Sequence, residues 1–295
     1  MTDTLDILVL AKDPRSHVQG ALESLLPLLN DKAGLNVVAV INDHTVPLQD
    51  VVNPKQLQSL DLALVIGGDG SILRACREFG TTQIPILAVN MGRLGFLADL
   101  MIDEVSERLD CMVQRNYRVV SHLMYACELH LKSLPNIETV IGLNEVSITS
   151  GASTSLFDVE LNIDDEQVTT YSGDGLILST PVGSTAHSLS AGGPILRQDM
   201  EAFVITPVCP HTLSVRPIVD RASSRYTMTV HDPPSGVVAA IDGQLRYELQ
   251  PGDKLVITKA DPQFQLVRFD SHSFYSTLHR KLGWDGQPPY PRRDP

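Results

Sequence analysis

The stretch LVIGGDGSILRA, Leu64 to Ala75, ends a run of apolar residues with two glycines, an aspartate and a third glycine. Leu62 to Ile66 reads as a strand buried on both faces, and SILRACREFG (71–80) reads as a helix. Between them, Gly67, Gly68 and Gly70 permit positive φ and close approach of backbone to a ligand. Successive N–H groups in such a turn form an anion nest, and the helix that follows adds its positive end. Asp69 stands at the crest, where a carboxylate can accept a proton or hold Mg²⁺. The structural alternative is a tight βα turn whose aspartate only caps the helix. GxxxxGK[ST] and GxGxxG are both missing, so the loop is neither a P-loop nor a dinucleotide fingerprint.

Outward from this loop, apolar runs alternate with amphipathic stretches. LDILVLA (5–11), NVVAVI (36–41) and IPILAVN (84–90) read as strands. HVQGALESLLPLLNDKAG (17–34) reads as a helix closed by Gly34, and a further helix runs through VSERLDCMVQ. This order predicts an α/β N-terminal domain, residues 1–116, with a Rossmann-like parallel sheet that carries the glycine loop. Past Tyr117 the pattern changes to short alternating strands separated by turns such as DPPSG and QPGD. Residues 117–270 are therefore expected to form an all-β, sandwich-like domain. The stretch 271–295 opens with helical spacing, SHSFYSTLHRKLGW, which suggests a segment packing back on the first domain, and ends in a proline-rich tail expected to be disordered.

Composition narrows the function. At 295 residues with 43% hydrophobic content, the chain can bury a sizeable core, and no apolar run has membrane-span length. The net charge of −12 argues against nucleic acid as a partner. The N-terminus, MTDTLDILVLAKD, lacks a basic n-region and reads as a first strand. Four cysteines without CxxC spacing point to reduced thiols and a cytoplasmic protein, with no metal-ligand set.

Three other places carry candidate chemistry. Asn144 and Glu145 adjoin a strand in IGLNEVSI. YSGDGLILSTPVGSTAHSLSAGGPIL (171–196) holds a second GDG with Asp174, then a segment of small hydroxyl residues suited to a nucleoside or to an irregular surface loop. IDGQ (241–244) offers Asp242 and Gln244, or merely a β-turn.

GGDGSILRA, LNEV, SGDGLILSTPVGSTAHSLSAGGP, CPHTLSVRP and FYSTLHRKLGW occur in this order and together resemble the NAD kinase family, from about Ile7 to Trp284. GGDG alone also fits the lipid kinases of the same wider fold group; the segment after the second GDG separates the two. The resemblance implies an α/β domain followed by a β-rich NAD-binding domain, with the site between them. It also implies a reaction: the terminal phosphoryl group of ATP, or of another donor, passes to the 2′-hydroxyl of the adenosine ribose of NAD to give NADP. The implied partners are NAD and ATP, a divalent metal (Mg²⁺ or Mn²⁺) with the ATP, and further copies of the chain in a dimer or tetramer. No membrane is implied.

Residue by residue, Asp69 matches the proposed general base, Gly67, Gly68 and Gly70 its loop, and Arg74 a basic position facing phosphates. Asn144 and Glu145 match the family's NE pair, and Asp174 the acid of the second GDG. Thr185, Ala186, His187, Ser188 and Ser190 match the segment that wraps the nucleotide, and Gln244 a polar pocket position. Many members carry tyrosine where this chain has His187, and some bacterial members arginine where it has Ser172. A non-enzymatic NAD(P)-sensing module stays open as an alternative, but it would need no carboxylate at Asp69.

Overall fold

The computed structural model describes residues 4–92, 95–98, 100–151, 155–269 and 274–283. The first part alternates strand and helix. In order come β1 (Leu5–Leu10), α1 (Ser16–Asn30), β2 (Leu35–Ile41), α2 (Pro54–Ser59) and β3 (Leu62–Ile66). Then follow α3 (Asp69–Phe79), β4 (Ile86–Asn90), β5 (Leu100–Met101), α4 (Val105–Val113) and β6 (Arg118–His122). The next part is almost all strand: β7 (Tyr125–His130), β8 (Glu138–Gly142), β9 (Glu145–Thr149), β10 (Phe157–Ile163), β11 (Glu166–Gly173) and β12 (Gly175–Ser179). A single-turn helix, α5 (His187–Ser190), precedes β13 (Ala202–Val208), β14 (Ile218–Arg221), β15 (Tyr226–Val230) and β16 (Val238–Ile241). Last come β17 (Leu245–Glu248), β18 (Lys254–Lys259), β19 (Phe264–Arg268) and α6 (Phe274–Leu282).

The first sheet has the order β2-β1-β3-β4-β19-β6, with β5 beside β4. β1 to β4 are parallel neighbours. β3 and β4 are buried at every position, which is why their sequences are continuous apolar runs rather than alternations. α1 and α4 cover one face and α3 the other.

Two limits differ from expectation. β6 and β19 lie inside the 117–270 stretch, yet they pair with each other and extend the first sheet beyond β4. The first sheet therefore draws on both ends of the stretch expected to be β-rich. α1 stops at Asn30 rather than Gly34, its turn closed by Asp31 N–H on the Pro27 carbonyl at 3.0 Å. Gly34 instead turns the chain into β2 with φ of +82°.

The other two sheets are antiparallel, in the orders β11-β10-β15-β18-β7-β8 and β14-β13-β12-β9-β16-β17. β7 and β15 alternate buried and half-buried residues, the period-two signature of a sheet with one inner face. Their inner faces meet in a core that includes Tyr125, Leu161, Phe203 and Met228. Phe203 and Tyr226 meet edge to face with centroids 5.5 Å apart.

α3 lies between the two units. Its Ile72, Cys76 and Phe79 share a core with Ala63 and Val65 of β3 on one side and with Met124, Leu143 and Val182 on the other. α6 returns to the first sheet, where Phe274 and Thr277 share a cleft with Arg118 of β6 and Arg268 of β19. The proline-rich tail lies outside the described residues. No described helix is long and apolar enough to cross a membrane.

Candidate active site

The chain leaves β3 through Gly67, whose φ of +149° favours glycine, and extended Gly68 caps α3. Asp69 is thus the first residue of α3, not the crest of a longer loop. Ser71 N–H bonds back to the Gly68 carbonyl at 2.9 Å, and the loop ahead of it stands at the helix's positive end, which favours an anion.

The loop has two sides. On one, the Asp69 carboxylate accepts the backbone N–H of Phe96 at 3.0 Å and that of Leu97 at 3.3 Å. A Cβ on Gly95 would overlap that carboxylate, so only glycine lets the 95–97 segment approach so closely. Arg268 donates to the Phe96 carbonyl at 3.3 Å. Burial pushes the Arg268 guanidinium down to about 10, opposed by the Asp69 charge, so it remains a cation at neutral pH.

On the other side, Gly68, Gly70 and Ser71 line a cleft of about 520 Å³. Lys12, Arg15, Arg74 and Arg77 line it too, against one carboxylate, Asp13. This is a cationic site on a chain of net charge −12. Glu78 pairs with Lys12 at 2.7 Å and with Arg74 at 3.6 Å, holding both side chains in place. Arg77 donates through Nη2 to Gln244 Oε1 at 2.6 Å, while its buried Nη1 has no hydrogen-bond partner among the described residues. Gln244 in turn donates to the Gly70 carbonyl at 2.8 Å, tying the β-rich unit to the glycine loop.

Asn144 and Glu145 open β9. Their backbone N–H groups, with that of Leu143, converge on the buried Asp242 carboxylate, the Asn144 contact being 2.7 Å. Tyr125 hydroxyl donates to the same carboxylate at 2.9 Å. Asp242 and Gln244 flank Gly243 in one turn, so a single turn holds both the Asn144–Glu145 pair and the Asp69 loop. Glu145 is buried, and its carboxylate accepts the backbone N–H of His187. Burial, with the nearby Asp242, pushes it up to about 8.

The 180–193 segment folds against this pair. A Cβ on Gly183 would overlap the Asn144 carbonyl, so glycine sets the approach. Thr185 hydroxyl donates to the Val182 carbonyl at 3.0 Å, and Ser188 bonds Thr206 at 2.8 Å. The hydroxyls of Thr185 and Ser188 thus shape the segment from within, while His187 and Ser190 are exposed and Ala186 is half-buried. Partial desolvation lowers the His187 pKa, leaving the ring neutral at pH 7.

Asp174 is not brought to this cluster. It precedes β12 at the end where Gly175 pairs with Thr149, whereas Glu145 pairs with Ser179 at the other end. It lies beside the Cys209 thiol, whose pKa it raises. Ser172 hydroxyl bonds Asp158.

Lys12, Arg15, Arg77, Gly95, Phe96, Leu97 and Tyr125 were not singled out from the sequence. One signal was available: Lys12 and Arg15 follow β1, and 95–97 follows β4, at the carboxyl ends of parallel strands where open α/β sheets bind ligands.

Comparison with known proteins gives two family matches, an ATP-NAD kinase N-terminal domain over residues 29–117 and an ATP-NAD kinase C-terminal domain over residues 143–269. An NAD kinase of Rhodopirellula baltica is 38% identical over 281 residues, spanning 95% of this chain and 87% of that protein. An NAD kinase of Geobacter sulfurreducens is 37% identical over 280 residues, spanning 94% and 98%. Among solved structures, a yeast NADH kinase complexed with NADH superimposes with a TM-score of 0.84 at 24% identity, over 97% of this chain and 89% of that one. An Archaeoglobus fulgidus NAD kinase in complex with ATP gives 0.71 at 24% identity, over 95% and 99%.

Proposed function

The chain belongs to the ATP-NAD kinase family, and from that premise we propose how its residues phosphorylate NAD with ATP to give NADP. The observation that carries the proposal is the two-sided glycine loop. Asp69 faces the 95–97 segment on one side, and its chain neighbours Gly68 and Gly70 line the cationic cleft on the other.

The cleft takes the ATP phosphates. Lys12, Arg15, Arg74 and Arg77 neutralise them, with the unpaired Arg77 Nη1 as a ready donor. The adenosine end of NAD lies across Asn144 and Glu145, which brings its 2′-hydroxyl to Asp69. A carboxylate has about four lone-pair sites, and the two N–H contacts leave sites open for the incoming proton. The 2′-oxygen attacks the γ-phosphorus and its proton passes to Asp69. The new O–P bond forms as the bond to the β,γ-bridging oxygen breaks, and ADP departs with that electron pair.

In this reading a divalent ion arrives with the substrate, carried on ATP. A homo-oligomer is part of the same reading: Asp174 stands at the opposite end of β12 from Ser179, the partner of Glu145, and it joins the nucleotide site if a second copy brings it there. Cytoplasmic residence is supported by four cysteines without a disulfide.

The test is direct. Purified protein with Mg·ATP and NAD, read by an NADP-specific dehydrogenase, should yield NADP in proportion to time and enzyme. Absence of NADP from folded protein would overturn the reading.

A further inference from the structure

Glu145 and Asp242 are two carboxylates buried side by side, but their surroundings are unequal. Asp242 Oδ1 receives the N–H of Asn144 at 2.7 Å, of Leu143 at 3.2 Å and of Glu145 at 3.2 Å, and the Tyr125 hydroxyl at 2.9 Å. Its Oδ2 takes a second contact from Leu143 N–H at 3.1 Å. The Tyr125 hydroxyl also reaches the Glu145 backbone carbonyl at 2.8 Å and shares its one proton between the two oxygens. Oδ1, ringed by three N–H donors, has no room for a proton, and these bonds stabilise Asp242 as an anion.

Among the described residues, the one donor beside the Glu145 carboxylate is the His187 backbone N–H. Its Oε2 is buried without a hydrogen-bond partner among the described residues. Ser179, directly opposite Glu145 in the ladder, has a buried hydroxyl that is also without one. An ionised oxygen here would be a desolvated charge beside a second negative charge; a neutral carboxylic acid avoids both penalties.

We infer that the pair keeps one proton at neutral pH, that this proton sits on Glu145, and that Glu145 meets the nucleoside as a hydrogen-bond donor. Its ligand atom is then an acceptor, such as a purine ring nitrogen or an amide carbonyl, and Glu145 selects for it. The inference rests on the reading of this place as the NAD site.

Burial and Asp242 push Glu145 up to about 8. Burial pushes the Asp242 carboxyl up as well, opposed by the Leu143 and Asn144 N–H groups, the Tyr125 hydroxyl and the Arg77 cation. The donors around Asp242, which Glu145 lacks, therefore decide which of the two carboxyls keeps the proton. The Tyr125 hydroxyl is raised well above its ordinary range and stays a donor. The Cys76 thiol, near Asp242, is raised by burial and stays neutral, and the His187 ring is neutral at pH 7.

Two measurements on wild-type protein and Glu145→Gln test this. Infrared difference spectra of the ligand-free proteins at pH 7 should show the carbonyl stretch of a protonated carboxylic acid that Glu145→Gln removes and that fades through about pH 8. This reading does not need NAD to bind, so it stands apart from the functional proposal. NAD affinity, by calorimetry from pH 6 to 9.5, should be flat at first and then fall by up to about tenfold per pH unit above the Glu145 titration. Glu145→Gln, which keeps an N–H donor but has no proton to lose, should lack that fall. A band that persists in Glu145→Gln places the proton elsewhere and overturns the inference. So does a wild-type affinity that stays flat through pH 9.

Discussion

The Asp69 carboxylate accepts the Phe96 backbone N–H at 3.0 Å, across 27 positions of sequence. This bond fixes the proposed base on the loop that follows β4, and Arg268 holds the same loop through the Phe96 carbonyl. The base is thereby oriented by backbone rather than by a second side chain.

Gly95→Ala tests that arrangement. The added Cβ overlaps the Asp69 carboxylate, so either the base or the 95–97 segment must move. A displacement on the order of 1 Å at a reacting group can lower the rate by about 10²-fold. The kcat should therefore fall at least about tenfold, with the folded state retained by circular dichroism. A kcat within twofold of wild type would show that Asp69 does not depend on this contact.

Arg77→Ala tests the donor cleft. The substitution removes a half-buried cation whose Nη1 lacks a hydrogen-bond partner among the described residues. Hydrogen bonds to charged groups are worth about 1.5–3 kcal/mol, so KM for ATP should rise roughly 10- to 100-fold. KM for NAD should change by less than about threefold, and Arg77→Lys should recover part of the loss. A rise confined to the NAD KM would move the donor site elsewhere.

Glu145 also makes stability depend on pH. Its folded pKa of about 8 lies above the ordinary carboxylate value of 4.5, so the folded state holds a proton that the unfolded state has lost between those limits. Stability from this group therefore declines as pH rises from about 4.5 to 8, by several kcal/mol in all. Glu145→Gln escapes the decline. Its Tm should exceed that of wild type at pH 8.5 by at least about 4 °C, and by at most half that margin at pH 5. Equal Tm differences at the two pH values would contradict a proton held on Glu145.

Much of this was legible in the sequence, for identifiable reasons. Leu62–Ile66 is apolar throughout because parallel central strands are covered on both faces, and the glycines after it advertise a close approach. The placement of β6 and β19 was not legible. A half-buried alternation looks the same whichever sheet it joins, and Leu266 pairs with Ile86 from far along the chain. The start of α3 was hidden because Gly68 and Gly70 on either side of Asp69 read locally as a loop.

The same limit applies to the site. Asp69, Asn144 and Glu145 stand in recognisable motifs, but what orients them is remote. Asp242 meets Glu145 across 97 positions, and Gln244 meets Gly70 across 174. Tyr125 sits in an ordinary strand, and only the fold reveals that its hydroxyl supports Asp242. The segment of Thr185 and Ser188 reads as suited to a nucleoside from its small hydroxyl residues, and only the fold reveals that these two hydroxyls also bond the Val182 carbonyl and Thr206.

The central claim is that Asp69 takes the proton of the ribose hydroxyl, and Asp69→Asn addresses it most directly. Asparagine keeps an oxygen to accept a backbone N–H but cannot accept the proton. Steady-state kinetics of NADP formation from Mg·ATP and NAD should show kcat reduced by about 10²–10⁴-fold, with KM for NAD within about threefold of wild type. A loss carried wholly by KM, with kcat unchanged, would make Asp69 a binding residue and contradict the mechanism.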